Sequence, residues 1–580
     1  MAFEQIVQSV VHKLEEGGWV PWVKLAVLIG AIVFTINLWF FRDAGFRGLN
    51  HEKAIEQAQI AREIARGNGF TTKVIRPAAL WLFDKNKGAF PLDKQPDIYH
   101  APLNPWVNSW FLRMVQNTWP MTVKDIQYTP DKIIAGAGLL FFLLSVLVNY
   151  FIACRLFDQR LALFGVGLML LCQRFWDFAL IGLPQMTMLL LFSCAIYTLV
   201  RAVENQCEGR STLGWLAATG LFFGLLALTH GLTMWIFAGL FIVALIFFRP
   251  IARGALLMLA VFLLCYSPWL VRNYMVSGTP VGLGWYSGLA GIRGSESAVM
   301  RSMEVKIDDV NPRLFRRKIQ TQTIAQLGNL YDYLGSVVVA PVFFVALLHI
   351  FKRRGTGVFR WFTLGMWVSA VVGMSVFGLM EESGLHANDL HVLFIPLMSC
   401  YGIALVLVMW SRIQLHIRFV QFAFLSVLYT ISALPFINQF LELVGPPGMR
   451  VAWPPYYPPF IAIFNSWTEE KEIICSDMPW AVAWYADRRS LWLPMSTAKF
   501  LELNDYGQLN GQIVGLHLTP VSGYRPYRSE IASGDYMAWG QFIIGTATLR
   551  DFPLKYFTPL PVNGDCVFYS DRDRWTQRED

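Results

Sequence analysis

Apolar runs of about twenty residues, separated by short polar connections, dominate the chain from residue 22 to residue 436. An α-helix rises 1.5 Å per residue, so a run of about 20 crosses the roughly 30 Å hydrocarbon core of a bilayer. The pattern predicts about eleven spans: 22–41, 133–154, 161–180, 183–203, 213–228, 232–248, 255–271, 337–351, 359–380, 392–410 and 419–436. Arg174 and Asp177 interrupt the third, and only Thr229-His230-Gly231 separates the fifth from the sixth. The fold class this implies is an α-helical polytopic membrane protein.

Three long polar stretches lie between or beyond the runs, at 42–132, 272–335 and 444–580. In the first, His51–Arg66 reads as a helix with Ile55, Ala58, Ile60, Ala61, Ile64 and Ala65 on one broad face, stopped by Gly67-Asn68-Gly69. Trp106, Val107, Trp110, Phe111 and Met114 then recur at helical spacing, as in a helix lying in the bilayer interface. Residues 1–21 are amphipathic, with Ile6, Val7, Val10, Val11 and Leu14 beside Glu4, His12 and Lys13.

Beyond the Pro-rich stretch that follows residue 444, Glu472–Cys475, Ser490–Leu493, Gln512–Leu518 and Cys566–Tyr569 read as strands, and Pro479–Tyr485 as a helix. A small α/β domain of roughly 120 residues with some parallel pairing is expected. The chain therefore divides into a segment 1–21, a helical region 22–443 carrying outer loops 42–132 and 272–335, and a domain 444–580.

Composition sharpens the class. Hydrophobic residues make up 55% and charged residues 15%, with a mean hydropathy of +0.43; this excludes an ordinary soluble enzyme. The net charge of +8 would suggest nucleic acid in a soluble chain. Here its position decides otherwise. Arg155, Arg160, Arg201, Arg210, Arg249, Arg253, Lys352, Arg353, Arg354, Arg360, Arg412 and Arg418 fall in every second short connection, the positive-inside signature. That places residues 1–21 and the N-terminus in the cytoplasm, the long loops and the C-terminal domain outside, and excludes a nucleic-acid partner. Most cysteines lie in apolar runs; Cys475 and Cys566 lie in the outer domain, where a disulfide is compatible with the compartment.

The first outer loop gathers Asp43, His51, Glu52, Glu56, Arg76, Asp97 and His100 at the mouth of the bundle. A carboxylate there can act as general base on an acceptor hydroxyl. A cation beside it, Arg, Lys or a divalent metal, can stabilise charge on a departing phosphate.

Three segments carry a family resemblance. Ala54–Arg62 with Ala65–Thr72, then Tyr99-His100-Ala101-Pro102-Leu103-Asn104-Pro105, then Pro268-Trp269-Leu270-Val271-Arg272-Asn273-Tyr274 with Gly278-Thr279-Pro280 behind it, are similar to elements of GT-C superfamily glycosyltransferases. Within them the chain most resembles family 39, the dolichyl-phosphate-mannose protein mannosyltransferase-like proteins of bacteria and archaea. The resemblance implies transfer of a sugar from a polyprenyl-phosphate-linked donor to a protein, lipid or glycan acceptor, outside the inner membrane of a bacterial-type cell. Glu56 stands where the family usually has Asp, and Gln185 where relatives carry a carboxylate or a small residue.

These readings assign Glu56, with Asp43 and Glu52 as alternatives, to the catalytic carboxylate, and Glu56 to a metal if one is used. His100, Arg272 and Arg76 are assigned to phosphate or substrate. Competing structural roles are a membrane-edge ion pair for Asp43, a first-turn helix acid for Glu52 and a snorkelling side chain for Arg272. Arg174 and Asp177, spaced i,i+3, are read as neutralising one another. Asp477 is read as the cap of the helix at Pro479, with Trp480, Trp484 and Tyr485 packing a core. The Asp-to-Glu departure also fits a second reading, a scaffold of the same fold whose catalytic acid has drifted and which serves as a subunit of a larger membrane complex.

Overall fold

The computed structural model describes residues 29–36, 46, 48–86, 92–122, 125, 127–248, 252–292, 294–304, 311–379, 385–412, 418–444, 458–506, 509, 512–519, 521–522, 525–526, 534–550, 552–559 and 566–576. Asp43 and residues 1–21 lie outside them.

The first outer loop forms α1 (Glu52–Arg66), the short strand β1 (Val74–Ile75), α2 (Pro77–Lys85) and α3 (Leu103–Arg113). The bundle follows as α4 (Thr129–Leu156), α5 (Gln159–Leu171), α6 (Gln173–Ile181), α7 (Gln185–Cys207), α8 (Leu213–Thr229), α9 (Thr233–Phe247) and α10 (Arg253–Ser277). The second outer loop carries α11 (Glu296–Met300) and α12 (Pro312–Gly328), and the bundle ends with α13 (Arg354–Phe377), α14 (Ile395–Arg412) and α15 (Arg418–Val444). The protein is an integral membrane protein. Among the described residues six helices are long and apolar enough to cross a membrane; α5 and α6, bent by 54°, make a seventh span if taken together, while α8 and α9 are shorter apolar helices.

Two expected spans come out differently. The run 161–180 breaks at Cys172, and beside the break Arg174 pairs with Asp389 at 2.6 Å. The run 337–351 is not a helical span: it forms turns around one helical turn, Phe343–Ala346. Gly335 and Ser336 both have positive φ, three β-branched residues follow, and Pro341 lacks the N–H a continuing helix requires.

The C-terminal strands are β2 (Ile473–Ser476), β3 (Arg489–Trp492), β4 (Ile513–Leu518), β5 (Tyr556–Pro559) and β6 (Val567–Ser570), with α16 (Thr497–Asn504) between β3 and β4. The sheet order is β1-β3-β2-β4-β6-β5, parallel from β1 through β4 and antiparallel beyond. The edge strand β1 comes from the first outer loop, about four hundred positions earlier in sequence, with Val74 beside Ser490 and Ile75 beside Leu491. Its neighbours Ile75 and Leu80 share one core with Ile473, Leu491, Phe500 and Leu516. The sheet domain is thus completed by the loop that carries the candidate site. Cys475 and Cys566 are buried thiols and are not joined in a disulfide.

Candidate active site at one mouth of the bundle

α1 begins at His51, whose ring accepts from the Lys53 N–H at 3.2 Å, and ends at Gly67, whose φ of 88° lets Asn68 N–H reach the Glu63 carbonyl at 3.0 Å. The helix is not half-solvated: every residue from Lys53 to Glu63 is buried. Its polar side chains must therefore find partners inside the protein.

Glu56 finds two. Arg76, from the turn before α2, makes a short ion pair with Oε2, and His100 Nε2 lies 2.7 Å from the same oxygen. Asp97 fixes the turn that carries the histidine: its Oδ2 accepts the main-chain N–H of Tyr99 at 3.1 Å and of His100 at 2.7 Å, while Oδ1 lies 3.7 Å from Arg76. Burial pushes the Glu56 carboxyl up, but the Arg76 charge, the His100 hydrogen bond and the Lys53 charge outweigh it and hold it at about 2. Glu56 is an anion at neutral pH. Both contacts converge on Oε2.

A second layer comes from α11. Glu296 lies 2.9 Å from Lys53 Nζ and accepts a short hydrogen bond from the Tyr99 hydroxyl. The Arg76 guanidinium stacks 4.4 Å from the Tyr99 ring centre. Burial raises and Lys53 more than offsets, so the Glu296 carboxyl is lowered. Both outer loops therefore contribute charge to one buried cluster, with α1 between them. Lys318 on α12 lies farther out, its amine pushed down to about 8 by burial and held to the Gly288 carbonyl at 2.8 Å.

Arg272, near the end of α10, donates to the Asp97 carbonyl at 2.5 Å and the Phe70 carbonyl at 3.4 Å, and stacks on Trp269 with 4.8 Å to the ring centre. It clamps the main chain of the turn that bears His100. Glu52 starts α1 and is half-buried in its first turn. Asn104 joins Gln57 at 2.8 Å to Thr187 at 2.9 Å, and Gln185 donates to the carbonyls of His386 and Ala387 at 3.2 and 2.7 Å, tying the loop to the bundle.

No group of three or more His, Cys, Asp or Glu side chains among the described residues is arranged to hold a metal ion. Among the described residues the donors at Glu56 are one carboxylate and one imidazole, and the guanidinium of Arg76 already supplies the positive charge. This donor set does not fit a divalent metal.

Residues 128–271, from α4 to the end of α10, match the family model described as dolichyl-phosphate-mannose-protein mannosyltransferase. No curated protein matches the chain. Among solved structures it is similar to ArnT from Cupriavidus metallidurans bound to undecaprenyl phosphate, with 13% identity, a TM-score of 0.54, and coverage of 96% of this chain and 98% of that one. It is also similar to the oligosaccharyltransferase AglB from Archaeoglobus fulgidus in complex with an inhibitory peptide and a dolichol-phosphate, with 12% identity, a TM-score of 0.51, and coverage of 96% and 75%. The Archaeoglobus fulgidus oligosaccharyltransferase complex with Zn and sulfate gives 13% identity, a TM-score of 0.50, and coverage of 94% and 73%. The chain has the GT-C fold.

Within this fold the reading of the sequence brought Glu56, Arg76, His100 and Arg272 to one neighbourhood and missed Lys53, Tyr99 and Glu296. Glu296 follows Ser295, whose side chain caps α11; that Ser-Glu pair is the signal of a helix start, and it says nothing of the partner on α1. Also missed are two anchors of the C-terminal domain. Asp131, in the first turn of α4, accepts from Trp484 Nε1 at 2.7 Å and from the Tyr485 hydroxyl at 2.9 Å. Asp487 faces Arg62, Arg66 and Lys73 at 3.0, 2.6 and 2.8 Å. Asp477 does not cap the helix at Pro479: Met478 stands at the cap, and the Asp477 carboxylate accepts from Thr519 N–H at 3.0 Å and Oγ1 at 2.7 Å. Trp480, Trp484 and Tyr485 are buried, but outside the core of the sheet domain: Trp484 and Tyr485 pack against Tyr128 and hydrogen-bond Asp131 at the start of α4.

Proposed function

We propose that this GT-C protein is a glycosyltransferase that moves a sugar from a polyprenyl-phosphate-linked donor to an acceptor on the extracytoplasmic side. The observation that carries the reading is the buried Glu56–His100–Arg76 cluster, braced by Asp97 and faced by Lys53, at one mouth of the bundle. ArnT and AglB, which share the fold, were solved with undecaprenyl phosphate and with a dolichol-phosphate, the carrier class this cluster suits.

The chemistry follows from the charges. The acceptor oxygen forms a bond to the sugar's anomeric carbon while the bond from that carbon to the phosphate oxygen breaks, and the carrier phosphate leaves with the electron pair. A carboxyl held at about 2 is a weak Brønsted base at neutral pH. Glu56 therefore serves best through His100: it orients the ring and stabilises the imidazolium formed when His100 takes the acceptor proton. Arg76 and Lys53 carry the positive charge that faces the leaving phosphate. The C-terminal sheet, joined to the site loop through β1, positions the acceptor.

A second reading keeps the GT-C shape without the reaction, as a subunit of a larger membrane complex. The same ion pair favours it, because Arg76 neutralises Glu56 internally. Sugar transfer from a lipid-linked donor separates the two. His100→Gln and Glu56→Gln are expected to lose about 10²- to 10⁴-fold in rate, while Glu52→Gln stays within a few-fold of wild type. Undiminished transfer in both His100→Gln and Glu56→Gln would falsify the enzymatic assignment to this cluster.

A further inference from the structure

α9 and α13 meet through two glycines. A methyl group on Gly239 would lie 2.3 Å from the Gly365 carbonyl oxygen, so the two backbones touch at that point. Away from it the helices leave an apolar groove of about 910 Å³, walled by Ile242 and Ile246 of α9 and by Trp361 and Val368 of α13. Ile242 and Ile246 are 59% and 71% exposed, so the groove opens sideways between α9, which is uncharged, and α13, whose charges, Arg354 and Arg360, lie in its first two turns.

Length and charge identify what fits it. The lining runs along α13 from Arg354 to Ser369, a rise of about 22 Å, which is more than the roughly 15 Å of one hydrocarbon leaflet and less than the ~30 Å of two. One end is cationic: Arg354 lines the groove where α13 begins, directly after Lys352 and Arg353. The acidic groups near that end are already matched, Glu204 by Arg155 and Arg201 at 3.0 and 3.2 Å and Glu208 by Arg210 at 3.0 Å. Trp361, two turns deeper, is the amphipathic ring that marks the boundary between head group and chain. The small residues that would admit a further helix, Gly239 and Gly365, are used in the contact between α9 and α13.

We infer that this groove is a binding site for an acidic glycerophospholipid, with an acyl chain along α9 and α13 and its phosphate at Arg354. The site lies on the bundle and uses none of the Glu56 cluster.

The purified full chain in phosphatidylcholine nanodiscs, doped with phosphatidylglycerol or phosphatidylcholine carrying a diazirine on the acyl chain, tests it by mapping the labelled peptides. The acidic probe is expected to label 239–247 and 358–369 about fivefold more than the zwitterionic one, the preference a single cation gives near an anionic head group. Arg354→Gln removes that preference, whereas Lys352→Gln, outside the groove lining, keeps it. Val368→Trp, at an exposed wall position, lowers labelling by both probes. Equal labelling by the two probes, a preference that survives Arg354→Gln, displacement by stoichiometric polyprenyl phosphate, or protection of these peptides by a co-purified helix would each overturn the proposal.

Discussion

Glu56 on α1 and Asp477 after β2 are both buried carboxylates outside the spans, and burial pushes both toward the neutral acid. Around Glu56 stand Arg76, His100 and Lys53, and the carboxyl is held at about 2. Among the described residues Asp477 accepts from the hydroxyls of Thr519 and Ser476 and the Thr519 amide, and burial wins, leaving it at about 7. The two depths are alike and the neighbours differ. One site is built to keep a charge out of water, which is costly unless that charge does something. The other needs only an acceptor at the end of a parallel strand.

The strongest way to break this comparison is to remove the cation. Arg76→Met keeps most of the side-chain volume but leaves Glu56 buried without its counter-charge, at an expected cost of about 3–5 kcal/mol, read as a lowered unfolding midpoint in detergent. An unchanged midpoint would mean that the pair is not what holds the cluster. Asp487→Asn is expected to be next, about 1.5–3 kcal/mol, because the buried Arg62 loses its carboxylate partner and keeps the neutral acceptors Tyr128 Oη and the Trp484 and Ala483 carbonyls.

The pH dependence of the two carboxylates runs in opposite directions. Glu56 has its pKa lowered from 4.5 to about 2, so the stability it adds is complete above about pH 4.5 and is lost as pH falls toward 2. Asp477 has its pKa raised from 3.8 to about 7, so it loses stability as pH rises from about 4 to 7 and the loss is constant above that. Asp477→Asn is therefore expected to stay within about 1 kcal/mol of wild type at pH 4 and to become the more stable protein above pH 7. Parallel midpoint-against-pH curves for wild type and this variant would expose a mistake. The smallest effect is expected from Tyr485→Phe, which removes one hydroxyl donor from Asp131 while Trp484 Nε1 stays, at about 1 kcal/mol.

Much of the fold is legible in the chain because its signals are local. Apolar runs mark the bundle, Gly67 marks the end of α1, and the four strands expected in the C-terminal domain lie within a residue or two of β2, β3, β4 and β6. The failures are places where a local signal is ambiguous or absent. Residues 337–351 are as apolar as a span, but the turn at Gly335-Ser336 and Pro341 prevent one. β1 has two residues and no period to detect, and β5 was not anticipated. At the site, a carboxylate, a histidine and an arginine in one loop were visible as candidates. The burial of α1 on every side was not, because its apolar face accounts for only half of its surface.

By itself the sequence determined that this is a membrane protein, where most of its apolar helices run, and which loop holds the ionisable residues, since burial in lipid writes itself into most spans as a continuous apolar run. Only the tertiary structure decided that Glu56 meets Arg76 and His100 on a single oxygen, that Lys53 is answered by Glu296 from 243 positions away, and that the site loop closes the edge of the C-terminal sheet. Those pairings depend on distances between elements remote in the chain, and no periodicity within either element encodes its partner.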